Sequence, residues 1–239
     1  MAALRALLVD VGGTLIDDST WLPGERANRL RRERLAAALG PDEPWFDDFL
    51  RDTFEPGEAT AFEQRTADRV LAFLVERGLK ATPERVEAIC RASAPPMHEV
   101  AKVEEHALEA MESARALGLR LAICSNTLWR NDEDARRDWH ALGFGDLFDA
   151  YVTSHTTGWE KPHRTIFERC LVALSVQPEE TAMLGDRPER DVLGARQLGM
   201  RAIWKRPPTF VGEPDPAPDA ELSCLLDLQP ILERWATKG

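Results

Sequence analysis

Short, unbroken apolar runs recur along the chain at residues 4–9, 119–124, 150–153, 181–184 and 200–204. Runs of four to six apolar residues closed by polar or glycine positions are the pattern of strands buried on both faces. Between them the period changes to that of a helix. Val103, Ala107, Ala110, Met111, Ala114 and Leu117 fall on one helical face, as do Ile166, Phe167, Cys170, Leu171 and Leu174. This alternation predicts an α/β fold with a parallel sheet, helices on both of its faces and right-handed crossovers. Residues 17–100 interrupt it, offering helix signals and no strand. Ala67, Val70, Leu71, Leu74 and Val75 form a stripe that stops at Gly78, and Thr82-Pro83-Glu84 opens another helix with proline in its first turn. The expected organisation is a core built from residues 1–16 and 101–239, with a helical insert over 17–100. Asp17-Asp18-Ser19 and Pro95-Pro96 are the expected hinges. A Pro-rich surface loop over 207–218 precedes a last short segment around Leu222 and a terminal helix.

Composition adds what the chain is not. With 44% hydrophobic and 30% charged residues it has a globular rather than a disordered balance. The net charge of −11 would repel a polyphosphate backbone, so nucleic acid is not an expected partner. No apolar run approaches the roughly 20 residues of a membrane span, and the one near the N-terminus is too short for a secretion signal. Cys90, Cys124, Cys170 and Cys224 are scattered without metal-ligand spacing, which fits a reducing, cytoplasmic setting.

Ligands of an open parallel sheet sit at the carboxyl ends of its strands. There the chain places Asp10-Val11-Gly12-Gly13-Thr14, Ser125-Asn126 and Gly185-Asp186-Arg187-Pro188-Glu189-Arg190-Asp191, with Glu160-Lys161-Pro162 just before a helix. An anionic substrate and a divalent cation account for all four. A strand-end carboxylate can attack phosphorus, Mg²⁺ held by carboxylates offsets the charge of both, and a hydroxyl and an ammonium grip the phosphoryl oxygens. Backbone amides of the Gly12-Gly13-Thr14 turn would complete the cradle. Lys161 stands out because the chain holds only five lysines against 25 arginines, and a compact ammonium differs from a broad guanidinium fork.

In these motifs and their order the sequence resembles the haloacid dehalogenase-like hydrolase superfamily, in the branch that carries a helical cap. The long interval between Asp10 and Ser125 is where such members insert the cap. The resemblance implies a Rossmann-like core and a Mg²⁺-dependent hydrolase, most simply a phosphatase acting on a small phosphorylated metabolite through an aspartyl-phosphate. It implies that Asp10 is nucleophile and metal ligand and that the Gly12 carbonyl and Asp186 are further ligands. Asp191 would ligate or stand behind them, with Ser125 and Lys161 on the phosphate. Gly13, Thr14, Asn126 and Trp21 complete the expected substrate contacts, and Trp129 and Trp159 also lie near the expected loops.

One position departs from the pattern. Most phosphatases of the family have a second aspartate two residues after the nucleophile, serving as general acid and base, and this chain has Gly12. The departure points toward leaving groups that depart without protonation. It also keeps three alternatives in view: a dehalogenase, a ligand-binding protein that has lost turnover, and a sugar kinase in which Asp10-Val11-Gly12-Gly13-Thr14 is a phosphate loop set in a hairpin.

Overall fold

The structure, a computed structural model, describes residues 2–40, 43–52 and 66–236; residues 53–65 of the expected insert lie outside the described part. Six strands, β1 (Ala6–Val9), β2 (Arg120–Ser125), β3 (Ala150–Thr153), β4 (Thr181–Gly185), β5 (Arg201–Lys205) and β6 (Ala220–Leu222), form one sheet in the order β3-β2-β1-β4-β5-β6. Every neighbouring pair is parallel. The chain winds outward from β1 to β3 and returns beside β1 at β4, so the order reverses between those two strands. That reversal opens a crevice at their carboxyl ends.

Strand residues alternate between two cores, as the pleat requires. Leu7, Val9, Leu121, Ile123, Ala182 and Leu184 face one side, and Leu8, Ala122, Cys124, Met183, Ala202 and Trp204 the other. The helices that cover them come after a first group of four: α1 (Gly24–Leu39), α2 (Trp45–Asp52), α3 (Thr66–Glu76) and α4 (Pro83–Ser93). Then follow the short α5 (Met97–Val100), α6 (Ala107–Ala116), α7 (Asp132–Ala141), the short α8 (Ser154–Thr157), α9 (Arg164–Leu174), α10 (Leu193–Gln197) and α11 (Leu228–Ala236). Helices α6, α7 and α11 supply the first core, while α9 and α10 supply the second.

Helices α1 to α4 bury their apolar stripes in a cluster of their own, around Leu35, Phe46, Phe49, Val70, Leu74 and Ile89. Thr82 caps α4 by accepting from the Arg85 amide, with Pro83 in the first turn as the sequence indicates. One core residue, Trp129 from the loop after β2, is buried in that same cluster.

Val103 does not belong to the helix whose spacing it shares. α6 begins at Ala107, and Val103 instead makes an antiparallel bridge with Ile16. The two passages between core and insert lie side by side here. The amide of Glu104 donates to Leu15 O (2.8 Å), Asp17 N to Lys102 O (3.0 Å) and Leu22 N to Val100 O (2.8 Å). An apolar residue in such a crossing is selected by the ladder and not by helical period. After β4 the chain makes one π-helical turn over Pro188–Val192 before α10.

Candidate active site

Asp10 directly follows β1, and its amide extends the ladder to Leu184 O (2.9 Å). The next residues curl back tightly, with the amides of Leu15 and Ile16 both donating to Val11 O at 2.9 Å. Gly13 makes that curl possible in two ways. Its φ is +66°, a region that favours glycine, and a Cβ there would collide with the Asp186 carboxylate. Asp186 follows β4, so the two central strands deliver their carboxylates to one point.

Lys161 reaches the same point from the loop before α9. Its ammonium lies 2.5 Å from Asp10 Oδ1 and 2.7 Å from Asp191 Oδ1, and the side chain is almost wholly buried. Asn126, just past β2, fixes the lysine's backbone: its Oδ1 accepts from Lys161 N (2.8 Å) and its Nδ2 donates to Lys161 O (3.2 Å). Both ends of the carboxamide are therefore engaged by the Lys161 loop. Asp191 is held by the Arg187 amide, which donates to Oδ2 (3.0 Å), and it packs so closely over Gly185 that any side chain there would strike it.

The electrostatics are lopsided. Oxygens of Asp10, Asp186 and Asp191 lie within 4.8 Å of one another, all three residues buried, against a single buried ammonium. Arg187, largely exposed, touches Asp186 Oδ2 from outside at 3.3 Å. Burial, then the neighbouring carboxylates of Asp10 and Asp191, push the Asp186 carboxyl up to about 8. Burial also raises Asp191, to about 6, although Lys161 opposes the shift. For Lys161, burial works against the charge, and Asp10 and Asp191 more than offset it, holding the ammonium above the usual lysine range. Asp186 Oδ1 is buried with no hydrogen-bond partner. Excess carboxylate in a buried site, with one oxygen lacking a hydrogen-bond partner, fits a divalent cation held by these residues.

The remaining expected residues fall around this centre. Thr14 Oγ1 is 3.5 Å from Asp10 Oδ2. Ser125, the last residue of β2, lines a cavity of about 120 Å³ together with Gly12, Trp21, Asn126 and Arg130. Trp21 is partly exposed and donates through Nε1 to Asp18 Oδ1 (3.0 Å). Trp129 is buried in the insert's cluster, and Trp159 stacks on His163 with ring centroids 4.0 Å apart. β1 has parallel neighbours on both sides, so Asp10 to Thr14 do not sit in the antiparallel hairpin of the kinase reading.

Three features escape the linear reading. Lys205, buried at the end of β5, donates to Gly13 O (2.9 Å) and faces Glu104 Oε1 at 3.5 Å, tying the curl to the far strand. The scarcity of lysine that singles out Lys161 applies equally to Lys205. Asp138 on α7 accepts from Met97 N (2.9 Å) and Arg130 Nε (2.7 Å), bracing the second passage. Asp18 folds back over the Gly12-Gly13 turn.

A family profile described as haloacid dehalogenase-like hydrolase matches residues 4–199. Among curated relatives, a phosphoserine phosphatase of Thermus thermophilus is 33% identical over 118 residues, 49% of this chain and 46% of its own length. The chain thus spans just under half the length of that relative. Among solved structures, a phosphatase from Thermococcus onnurineus superposes with a TM-score of 0.61 at 23% identity, covering 96% of this chain and 98% of that one. A 2-haloacid dehalogenase from Pseudomonas syringae superposes with a TM-score of 0.65, also at 23% identity, covering 98% of this chain and all of that one. At these identities the superpositions speak to the fold alone. Because the profile runs from the start of the first strand region through α10 and takes in Asp10, Ser125, Asn126, Lys161, Asp186 and Asp191, the chain belongs to the haloacid dehalogenase-like hydrolase family.

Proposed function

We propose that the chain is a Mg²⁺-dependent phosphatase of small phosphorylated metabolites, with residues 1–16 and 101–239 as catalytic core and 17–100 as cap. The observation that carries this reading is the charge imbalance: three buried carboxylates around one ammonium, with Asp186 Oδ1 unsatisfied. A hydrolase that needed only a nucleophile would gain nothing from two further buried acids. The name of the Thermus thermophilus relative supports a phosphate ester as substrate.

Asp10, Asp186 and Asp191 would hold the cation, which when bound neutralises phosphoryl charge that the carboxylates would otherwise repel. Lys161 neutralises part of the Asp10 charge and offers its ammonium to a phosphoryl oxygen. Ser125 and the amides of Gly13 and Thr14 donate to the others. Asp10 then attacks phosphorus as the ester P–O bond breaks and the alcohol leaves, forming an aspartyl-phosphate, and water attacks that phosphorus to release phosphate and return Asp10 as carboxylate. Asn126 holds Lys161 in place through the lysine's backbone.

The test is a panel of phosphorylated metabolites assayed for phosphate release with and without Mg²⁺. Release should require the metal and should vanish in Asp10→Asn while circular dichroism stays unchanged. Metal-independent halide release from a haloacid, with no phosphate from any ester, would overturn the reading.

A further inference from the structure

Gly12 leaves the nucleophile's loop without an acid of its own, and a different carboxylate lies beside it. A Cβ built on Gly12 would lie 3.4 Å from Asp18 Oδ1, and one on Gly13 3.2 Å from Asp18 Oδ2. Asp18 therefore lays its carboxylate across the turn that follows Asp10. From the geometry we infer that Asp18 is the general acid and base of the reaction, an inference that rests on the phosphatase reading above.

The placement is built into the chain. Asp17 accepts from Ser19 N (2.9 Å) and Ser19 Oγ (2.7 Å), closing a tight turn over Asp18–Thr20. Thr20 Oγ1 accepts from the Lys102 amide (2.9 Å), and the Asp17 amide binds Lys102 O, so the turn is fastened to the returning passage. Trp21 Nε1 then holds Asp18 Oδ1, and no described residue donates to Oδ2. Asp18, Gly13 and Asp186 line one cleft of about 770 Å³. The other acids near Asp10 are committed elsewhere: Asp191 pairs with Lys161, and Asp186 belongs to the metal cluster. Of the other acids lining this cleft, Asp17 is bound by Ser19 and Glu104 faces Lys205, whereas Asp18 lies against the Gly12-Gly13 turn itself.

An alkyl phosphate gives up a strongly basic alkoxide, so its departure needs a proton. As the Asp10 oxygen bonds to phosphorus and the ester P–O bond breaks, the Asp18 carboxyl gives its proton to the leaving oxygen, releasing the alcohol. The Asp18 carboxylate next takes a proton from the water attacking phosphorus. Phosphate leaves, Asp10 returns as carboxylate and Asp18 as acid. Gly12 and Asp18 are then complementary, since an acid at position 12 would bring a second negative charge against the first.

The experiment compares the parent, Asp18→Asn, Gly12→Asp and the double variant on alkyl phosphates and on acetyl phosphate, whose leaving group needs no proton. In single-turnover assays Asp18→Asn should slow alcohol release from alkyl phosphates by about 10² to 10⁴ while acetate release from acetyl phosphate is nearly unaffected, and the later release of phosphate from the shared aspartyl-phosphate should slow for both. Gly12→Asp alone should give no gain, and in the Asp18→Asn background it should restore a large part of the loss. Undiminished alcohol release in Asp18→Asn, or an equal slowing of alcohol and acetate release in that first step, overturns the inference while leaving the phosphatase reading intact. A parent that releases phosphate from no ester overturns both.

Discussion

Asp186 shows what the site is for at the scale of one residue. Its carboxyl is pushed up to about 8 by burial and by Asp10 and Asp191, well above its ordinary value in an unfolded chain. The folded protein without metal therefore binds a proton that the unfolded chain has already lost, from the usual aspartate range up to about 8. Stability must fall as pH rises through that window. A cation binds the ionised carboxylates, so its stabilising effect should grow over the same range. The expected outcome is a melting temperature that declines from about pH 5 to about pH 8 without metal, with a Mg²⁺-induced rise largest at the upper end. In Asp186→Asn most of both effects should disappear. A Mg²⁺ shift of equal size at both ends would show that the cluster is already ionised and paired some other way. The sequence made Asp10, Lys161 and Asp186 legible because each ends a strand or precedes a helix where chemistry collects. Asp18 was legible there only as part of a hinge, and Lys205 only as one of five lysines. Both matter through where a side chain returns in space, six residues beyond Gly12 for one and across the sheet for the other.

At the scale of elements, strands were readable because a buried parallel strand has no polar side to disguise it, and β1 and β4 are buried at every position. Their ends were not. β2 runs on through Ser125 because Thr153 of β3 pairs with it, a partner that no local pattern reveals. Val103 misled for a related reason, fitting a helical stripe while serving a strand crossing. The polar face of α7 concealed a further element-scale feature. Asp138 and Arg130 form an ion pair at 2.7 Å with side chains only 11% and 13% exposed, and Asp138 also receives the Met97 amide while Arg130 donates to Pro95 O. This pair clamps the second passage to α7. Asp138→Ala would strand a mostly buried guanidinium and an amide together, for a loss of about 3 kcal/mol. Urea denaturation at fixed pH measures it, and a loss below about 1 kcal/mol would rank the pair with ordinary surface ion pairs.

Across the whole molecule, the nucleophile is nearly shut in. Asp10 is 8% exposed and Lys161 2%, so on the phosphatase reading an ester would reach them either through the cleft beside Asp18 or by some part of the protein moving aside. The sheet cannot be that part, because each central strand is bonded on both sides. The helices α1 to α4 can, since they carry their own apolar cluster and, among the described residues, meet the core through two paired passages and a few apolar contacts, with Leu30 against the core and Leu128 and the buried Trp129 against the insert. On the phosphatase reading, enclosure of a water-sensitive aspartyl-phosphate would give such a movement a purpose. If the insert swings, three places must answer together: residues 15–22, residues 97–104, and the loop holding Trp129, whose indole is a contact the insert's core would have to release. Hydrogen exchange with and without vanadate and Mg²⁺ tests this, with slower exchange expected in all three segments and β1 and β4 unchanged. Trp129→Ala should loosen the closed state, increasing exchange in both passages while leaving the sheet protected. Tight vanadate binding with unaltered exchange at the passages would mean that substrate enters by another route, through the cleft between Asp18 and Arg187, and that the insert is a fixed wall of the site.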